Sequence, residues 1–227
     1  MVSDRMAMVL ALLDRASAPN GTGGGLSMTA CAAASTALGV DGLCAVMGTG
    51  VGGTVLAFGA QAISAALEDL QFTLGEGPSL EAVTTGTPVL VAEVAAAAHR
   101  WPAFTGPALD LGVNAVFAFP LRIGAIGLGA MEIYRVEPGP LLPGGLTDAL
   151  SLAEAVTAQM LRVPLGAGSF VLRAAVHQAT GMVAVQLGTT LAEALVRLRA
   201  YAFGINRSIN DVAADVVARR LDFTGLE

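Results

Sequence analysis

Few side chains in this 227-residue chain are placed to do chemistry. The two histidines, His99 and His177, are far apart, and neither stands in a Ser/His/Asp or Cys/His pattern, so nucleophilic catalysis has no visible apparatus. Glu68 and Asp69 are adjacent carboxylates, but neighbouring helical residues do not face each other, and a solvated helix face accounts for them more simply than an acid/base pair. The glycine-rich runs at Gly21–Gly25 and Gly48–Gly53 lack the Gly-Lys-Ser/Thr ending of a phosphate loop, and the chain contains no lysine. Cys31 and Cys44 are the only thiols, too few for a disulfide framework or a zinc site, and are expected as buried free cysteines. No catalytic residue, no metal ligand and no cofactor is expected.

What remains is a recognition surface near the C-terminus. All twelve basic residues are arginine. Residues 1–164 carry six of them against thirteen acids, a net of −7, whereas residues 165–227 carry six against five, a net of +1. Only the second segment has the balance of a nucleic-acid binder, and its grip on phosphates must come from arginines gathered on one face. Arg197 and Tyr201 stand four apart, with Asn206 and Arg207 a turn later. A guanidinium beside an aromatic ring suits unpaired bases, by stacking and by hydrogen bonds to base edges. Arg199 lies two residues from Arg197 and so points about 160° away from it on a regular helix. Arg173 and His177 extend the candidate face, while Arg219 and Arg220 are as well placed to complement a helix C-terminus. The residues alone leave open a plainer reading, in which Tyr201 half-buries its ring and the arginines merely solubilise. Upstream, Phe58, Phe72, Trp101, Phe104, Phe117 and Phe119 form a candidate apolar wall for a ligand pocket, although each taken singly reads first as core.

These side chains need elements to position them. Asp4–Arg15 is helix-compatible, and Ala18–Gly25 is a Pro, Asn and Gly loop that would set this stretch apart as an arm. Leu26–Leu38 suits a helix stopped at Gly39. Gly42–Gly48 and Gly53–Gly59 read as strands joined by a hairpin at Thr49–Gly52. Ser64 is expected to cap a helix carrying Leu67, Leu70 and Phe72, broken at Gly75, Gly77 and Pro78. Pro88–Val91, Val113–Leu121 and Leu128–Tyr134 complete about five strands, and the lack of regular crossovers favours an antiparallel sheet flanked by helices. Thr147–Arg162 is a helix with Leu150, Ala153, Val156 and Met160 at helical spacing, ended by Val163-Pro164. Three helices follow. The first runs from Phe170 to Leu187. The second opens on a capping box of Thr190 and Glu193, with Leu191, Leu195, Leu198 and Ala202 in a stripe. The third opens at Ser208 with Asp211 and buries Val212, Val216 and Val217.

Mean hydropathy is positive, at +0.68. The charge-free stretches Ala16–Val40 and Gly42–Leu67 are nevertheless rich in Gly, Ala, Ser and Thr, and neither reads as a membrane span. Asp4, Arg5, Asp14 and Arg15 bracket a short apolar patch that lacks the plan of a secretory signal, and a cytoplasmic location is expected.

The segment Ala175-Val176-His177-Gln178-Ala179-Thr180-Gly181-Met182, then Leu191 to Ala202, then Asp211-Val212-Ala213 with Val216-Val217, resembles ANTAR domains. These are three-helix bundles that bind RNA stem-loops, typically paired hexanucleotide-loop hairpins, and so prevent a terminator from forming. Upstream, Glu68-Asp69-Leu70-Gln71, Leu74-Gly75-Glu76-Gly77-Pro78, Arg100-Trp101-Pro102 and Phe119-Pro120-Leu121 resemble the GAF domain found fused to ANTAR modules. Thr180 stands where many ANTAR sequences carry lysine, and Ser79 where a cysteine often follows the Gly-Glu-Gly-Pro turn. Cys31 and Cys44 do not reproduce the cysteine set of GAF relatives that reduce methionine sulfoxide.

The resemblance implies an α+β fold, a GAF-type antiparallel sheet flanked by helices followed by an all-α ANTAR bundle. The expected division is an N-terminal arm and loop at 1–25, a GAF-like sensor at 26–163, a linker at 164–169 and an RNA-binding ANTAR domain at 170–227. The implied function is transcription antitermination, with RNA hairpins as partner and an unidentified small molecule as one occupant of the sensor. Because one slightly basic bundle is small, a homodimer is expected for binding two hairpins, with the Thr147–Arg162 helix as its seam or packed on its own sheet. The same helix is expected to pass the sensor's state to the bundle. Two rivals stay open. One is a DNA-binding helix-turn-helix-like regulator, which Asp211 and Asp215 disfavour for duplex DNA; the other is a GAF-driven protein-interaction module without nucleic acid.

Overall fold

A sheet covered on both faces needs strands that are apolar throughout, and Ala115–Ile123 supplies one: its residues are buried from Ala115 to Leu121 except for a half-buried Pro120. A computed structural model describes residues 2–16, 28–48, 54–58, 62–162 and 167–225. Their elements are α1 (Asp4–Ala16), α2 (Met28–Leu38), β1 (Gly42–Gly48), β2 (Thr54–Phe58), α3 (Ala62–Leu74), α4 (Pro78–Thr85), β3 (Val89–Val91), a 3-10 turn (Val94–Ala97), α5 (Pro102–Asp110), β4 (Ala115–Ile123), β5 (Ile126–Arg135), α6 (Gly145–Arg162), α7 (Ala167–Leu187), α8 (Leu191–Gly204) and α9 (Ile209–Val217).

The strands form one antiparallel sheet in the order β2-β1-β5-β4-β3. The pleat sorts their side chains by face. Phe117, Phe119, Leu121, Met131 and Ile133 join a cluster closed by Met6, Val9 and Leu13 of α1, Ala34 and Leu38 of α2, and Leu152 and Val156 of α6. Val116, Ala118 and Tyr134 face the other way, into a cluster with Leu67, Ala82, Trp101 and Phe104 from α3, α4 and α5. A third cluster, of α7, α8 and α9, forms the C-terminal bundle. The fold is thus a GAF-like α+β unit followed by a helical region.

Several expectations shift. The residues expected as an arm are part of the core: Met6, Val9 and Leu13 are at most 3 % exposed, and each such burial contributes roughly 1.5–3 kcal/mol. Ser3 ties the start of α1 to α6 by bonding both oxygens of Asp148. Helices α4 and α5 were not anticipated. Both begin at a proline, Pro78 and Pro102, where the ring presets φ and the missing N–H costs nothing. Ser64 is no cap; it lies inside α3, 1 % exposed, its hydroxyl without a partner among the described residues. Helix α7 starts at Ala167, inside the stretch expected as linker. The Thr49–Gly52 hairpin and the Val163-Pro164 stop lie outside the described residues.

No single helix among the described residues is long and apolar enough to cross a membrane. One pair, Ala174–Leu187 with Leu191–Gly204, passes on composition but is bent by 104°.

Candidate nucleic-acid interface and sensor core

The bundle's central helix is set by its ends. Thr190 accepts from the backbone N–H of Glu193, and the Glu193 carboxylate accepts in return from that of Thr190, so the expected capping box forms in full. Hydrogen bonds from Thr189 and Thr190 hold the Glu193 carboxyl below its ordinary range. Ser208 caps α9 in the same way, accepting from the Asp211 N–H. With Ala194, Leu195, Leu198 and Ala202 turned inward, the register of α8 fixes what its other faces show.

Arg197 and Tyr201 come together. They line one open cleft of about 490 Å³ with Thr189, Ala200 and Thr224, and the Tyr201 ring leans on Phe223 at 5.4 Å between centroids. Arg199 does not join them. Its Nε donates to the Phe72 carbonyl at 2.8 Å and its guanidinium lies 5.2 Å from the centre of the Phe72 ring, so it faces α3 of the N-terminal unit. Asn206, in the left-handed region at φ 51°, and Arg207 line a different groove of about 430 Å³, together with Asp69 and Asp110 of the N-terminal unit. Arg207 is paired with Asp215 at 2.8 Å, as is Arg220 at 2.7 Å, and the two arginines hold that carboxyl low. His177 is half-buried on α7, and the Arg173 side chain lies outside the described residues. Thr180, 4 % exposed, donates to the Val176 carbonyl and contributes nothing to the outer surface.

The aromatic side chains expected as one pocket wall are distributed among three cores. Trp101 and Phe104 pack beneath α3 to α5, Phe117 and Phe119 lie on the opposite face of the sheet, and Phe72 belongs to the bundle's cluster. The Phe58 side chain lies outside the described residues. The physical reason is the pleat: consecutive inward positions of one face cannot meet residues from the other.

Between sheet and α3, the N-terminal unit holds a buried polar group that had no sequence signal. Glu132 of β5 is 2 % exposed and sits beside Gln71, Ser79 and Glu68, all at most 5 % exposed. Gln71 Nε2 and the Ser79 hydroxyl both donate to Glu132 Oε2, and Gln71 Oε1 accepts from the Ser79 N–H at 2.8 Å. Glu132 Oε1 has no partner among the described residues. Burial pushes this carboxyl up to about 7, the two hydrogen bonds pull it down, and the Glu68 charge adds to the rise. Ser79, standing where a cysteine was expected from resemblance, therefore has a structural role. Gly77 is required beside it: at φ 137° a Cβ would fall 2.5 Å from Gln71 Cγ. Burial also raises both thiols, Cys31 to about 11 and Cys44, which pairs with Glu132 across β1 and β5, well above its usual value.

Residues 171–217 match the ANTAR domain family. The N-terminal part is similar in fold to solved GAF domains. That of a phosphoenolpyruvate-protein phosphotransferase from Coxiella burnetii is 19 % identical, with a TM-score of 0.51, covering 70 % of this chain and 95 % of its own. The GAF domain of the Acinetobacter phosphoenolpyruvate-protein phosphotransferase is 11 % identical, with a TM-score of 0.51, covering 70 % and 91 %. No curated protein matches the chain.

Proposed function

We propose that this chain is a cytoplasmic RNA-binding transcription antitermination regulator, in which the GAF-type domain governs the ANTAR bundle and neither domain is an enzyme. The observation that carries the reading is the cleft at Arg197 and Tyr201, within the segment that matches ANTAR. It offers a cation and a half-exposed ring in a space of about 490 Å³, beside Thr189 and Thr224 whose hydroxyls donate to Glu193 and Asp222, the equipment for stacking an unpaired base of a hairpin loop. RNA is favoured over duplex DNA because α9, the element a helix-turn-helix would place in the groove, opens with Asp211 and shows Asp215 already engaged by two arginines.

Replacing Tyr201 by Ala removes the stacking platform and weakens binding to a two-hairpin RNA about tenfold, as base stacking is worth ~1–3 kcal/mol. Arg197→Ala weakens it further and lowers the salt dependence by one phosphate contact. Fluorescence-anisotropy titrations with folded variants check both, and unaltered affinity in the two variants would remove the cleft from the interface.

A homodimer, the state suited to paired hairpins, has a candidate seam on α6. Ala149, Leu152, Ala153 and Val156 pack on the chain's own sheet, but Leu146, Leu150 and Leu161 stand outside it at 42 %, 42 % and 60 % exposure, within about 60° of one another around the helix.

A further inference from the structure

Helix α3 belongs to two cores at once. Its inner face carries Glu68 and Gln71, and Gln71 is bonded to Glu132 of the sheet. Its outer face carries Asp69 and Phe72. Phe72, 1 % exposed, lies in the bundle's own apolar cluster with Leu198 and Ile209, so a sensor residue completes the packing of α7 to α9. Arg199 closes over that ring and bonds its carbonyl, and Asn210, on the first turn of α9, donates from Nδ2 to Asp69 Oδ1.

We infer that the sensor governs the bundle through α3, by an autoinhibitory contact that withholds Arg199 and the Asn206–Arg207 turn between α8 and α9 from RNA until the Phe72–Arg199 and Asp69–Asn210 contacts open. The inference rests on the RNA-binding reading above and names the element that regulates it. In the docked arrangement, Arg197 and Tyr201 keep an open cleft, but the groove at Asn206 and Arg207 is walled by Asp69 and Asp110. Phosphates approaching that edge meet two carboxylates, and Arg199 is turned the other way. Separation releases the Arg199 guanidinium and removes the opposing charge in one step. A shift of the buried Gln71–Glu132 contact on one side of α3 is carried to the bundle on the other, because both belong to one rigid helix. Helix α6, by contrast, packs on β4, α1 and α2.

Asn210→Asp tests this without touching a candidate RNA residue. It sets a second carboxylate against Asp69, and Asp69→Asn in the same chain restores an amide–carboxylate hydrogen bond with the roles exchanged and the wild-type net charge. Two readouts are taken on the full chain: amide hydrogen exchange in α3 and α8, and affinity for a two-hairpin RNA. Asn210→Asp is expected to speed exchange along the seam and to tighten RNA binding about fivefold or more, against the unfavourable added charge, and the exchanged pair to return both to wild type. Faster exchange with unchanged or weaker RNA binding overturns the inference while leaving the RNA reading intact, and so does unchanged exchange, since the contact then holds nothing closed. If no variant and no wild-type protein binds RNA, the functional reading falls and takes the inference with it. Should Asn210→Asp lose its cooperative melting transition, Asn210→Ala deletes the donor with no change of charge and is held to the same outcomes.

Discussion

Glu132 shows what one residue can impose. In the unfolded chain its carboxyl titrates near 4.5, and in the folded protein near 7 because burial penalises the charge. Between those values the native state holds a proton that the unfolded state has released, so the residue's contribution to stability is complete below the lower value and is lost as pH rises through the upper one. The swing is roughly 3 kcal/mol. It is shared with the groups facing it: Glu68 and Gln71 from α3, Ser79 from α4 and Cys44 from β1. Wild-type protein should melt progressively lower between about pH 4.5 and 7, and Glu132→Gln, neutral throughout, should flatten that slope. Identical slopes in the two proteins would mean that Glu132 does not titrate there. Nothing in the sequence marked this acid, because a single Glu in an apolar strand has no local pattern. The Arg197–Tyr201 pair was legible from its spacing of four, and the divergence of Arg199 from the helical angle alone. Asn210 and Asp69, 141 residues apart, meet only through the tertiary fold.

At the scale of elements, local chemistry located most boundaries. The capping box at Thr190 and the Ser208 cap set α8 and α9 where the sequence put them, and the five strands follow from short apolar runs between glycines. What was hidden depended on packing or on prolines that begin helices. Helix α1 looked detached because a Gly-rich stretch follows it, yet its apolar spacing is matched to α2 and α6. The pairing of β1 with β5 makes its own demand. A Cβ on Gly129 would fall 1.8 Å from the Val46 carbonyl oxygen, a collision with backbone that no rotamer relieves. Gly129→Ala should therefore cost more than about 3 kcal/mol or prevent soluble expression, measured by the urea midpoint. A variant as stable as wild type would contradict the register of these strands.

For the whole molecule, the segregation of charge and the exposed α6 leucines bear on assembly. The protein should sediment as a dimer at roughly tens of micromolar, and Leu150→Glu with Leu161→Glu should return it to a monomer with a weaker hold on two linked hairpins than wild type, because avidity is lost with the partner. A monomeric wild type at that concentration rules out the α6 seam. Domain order and fold class were readable because two sets of short motifs lay in sequence on separate segments. The mode of contact between the domains was not: α3, whose sequence reads as an ordinary amphipathic helix, meets α8, and β2 meets α7.

The most direct test of the central claim is a titration of the intact protein against a labelled two-hairpin RNA and a duplex DNA of equal length, across a salt series. The account predicts tighter binding to the RNA at every salt concentration, weakening as salt rises with the shallow slope of a few phosphate contacts. Equal affinity for the two nucleic acids, or binding to neither, would contradict it.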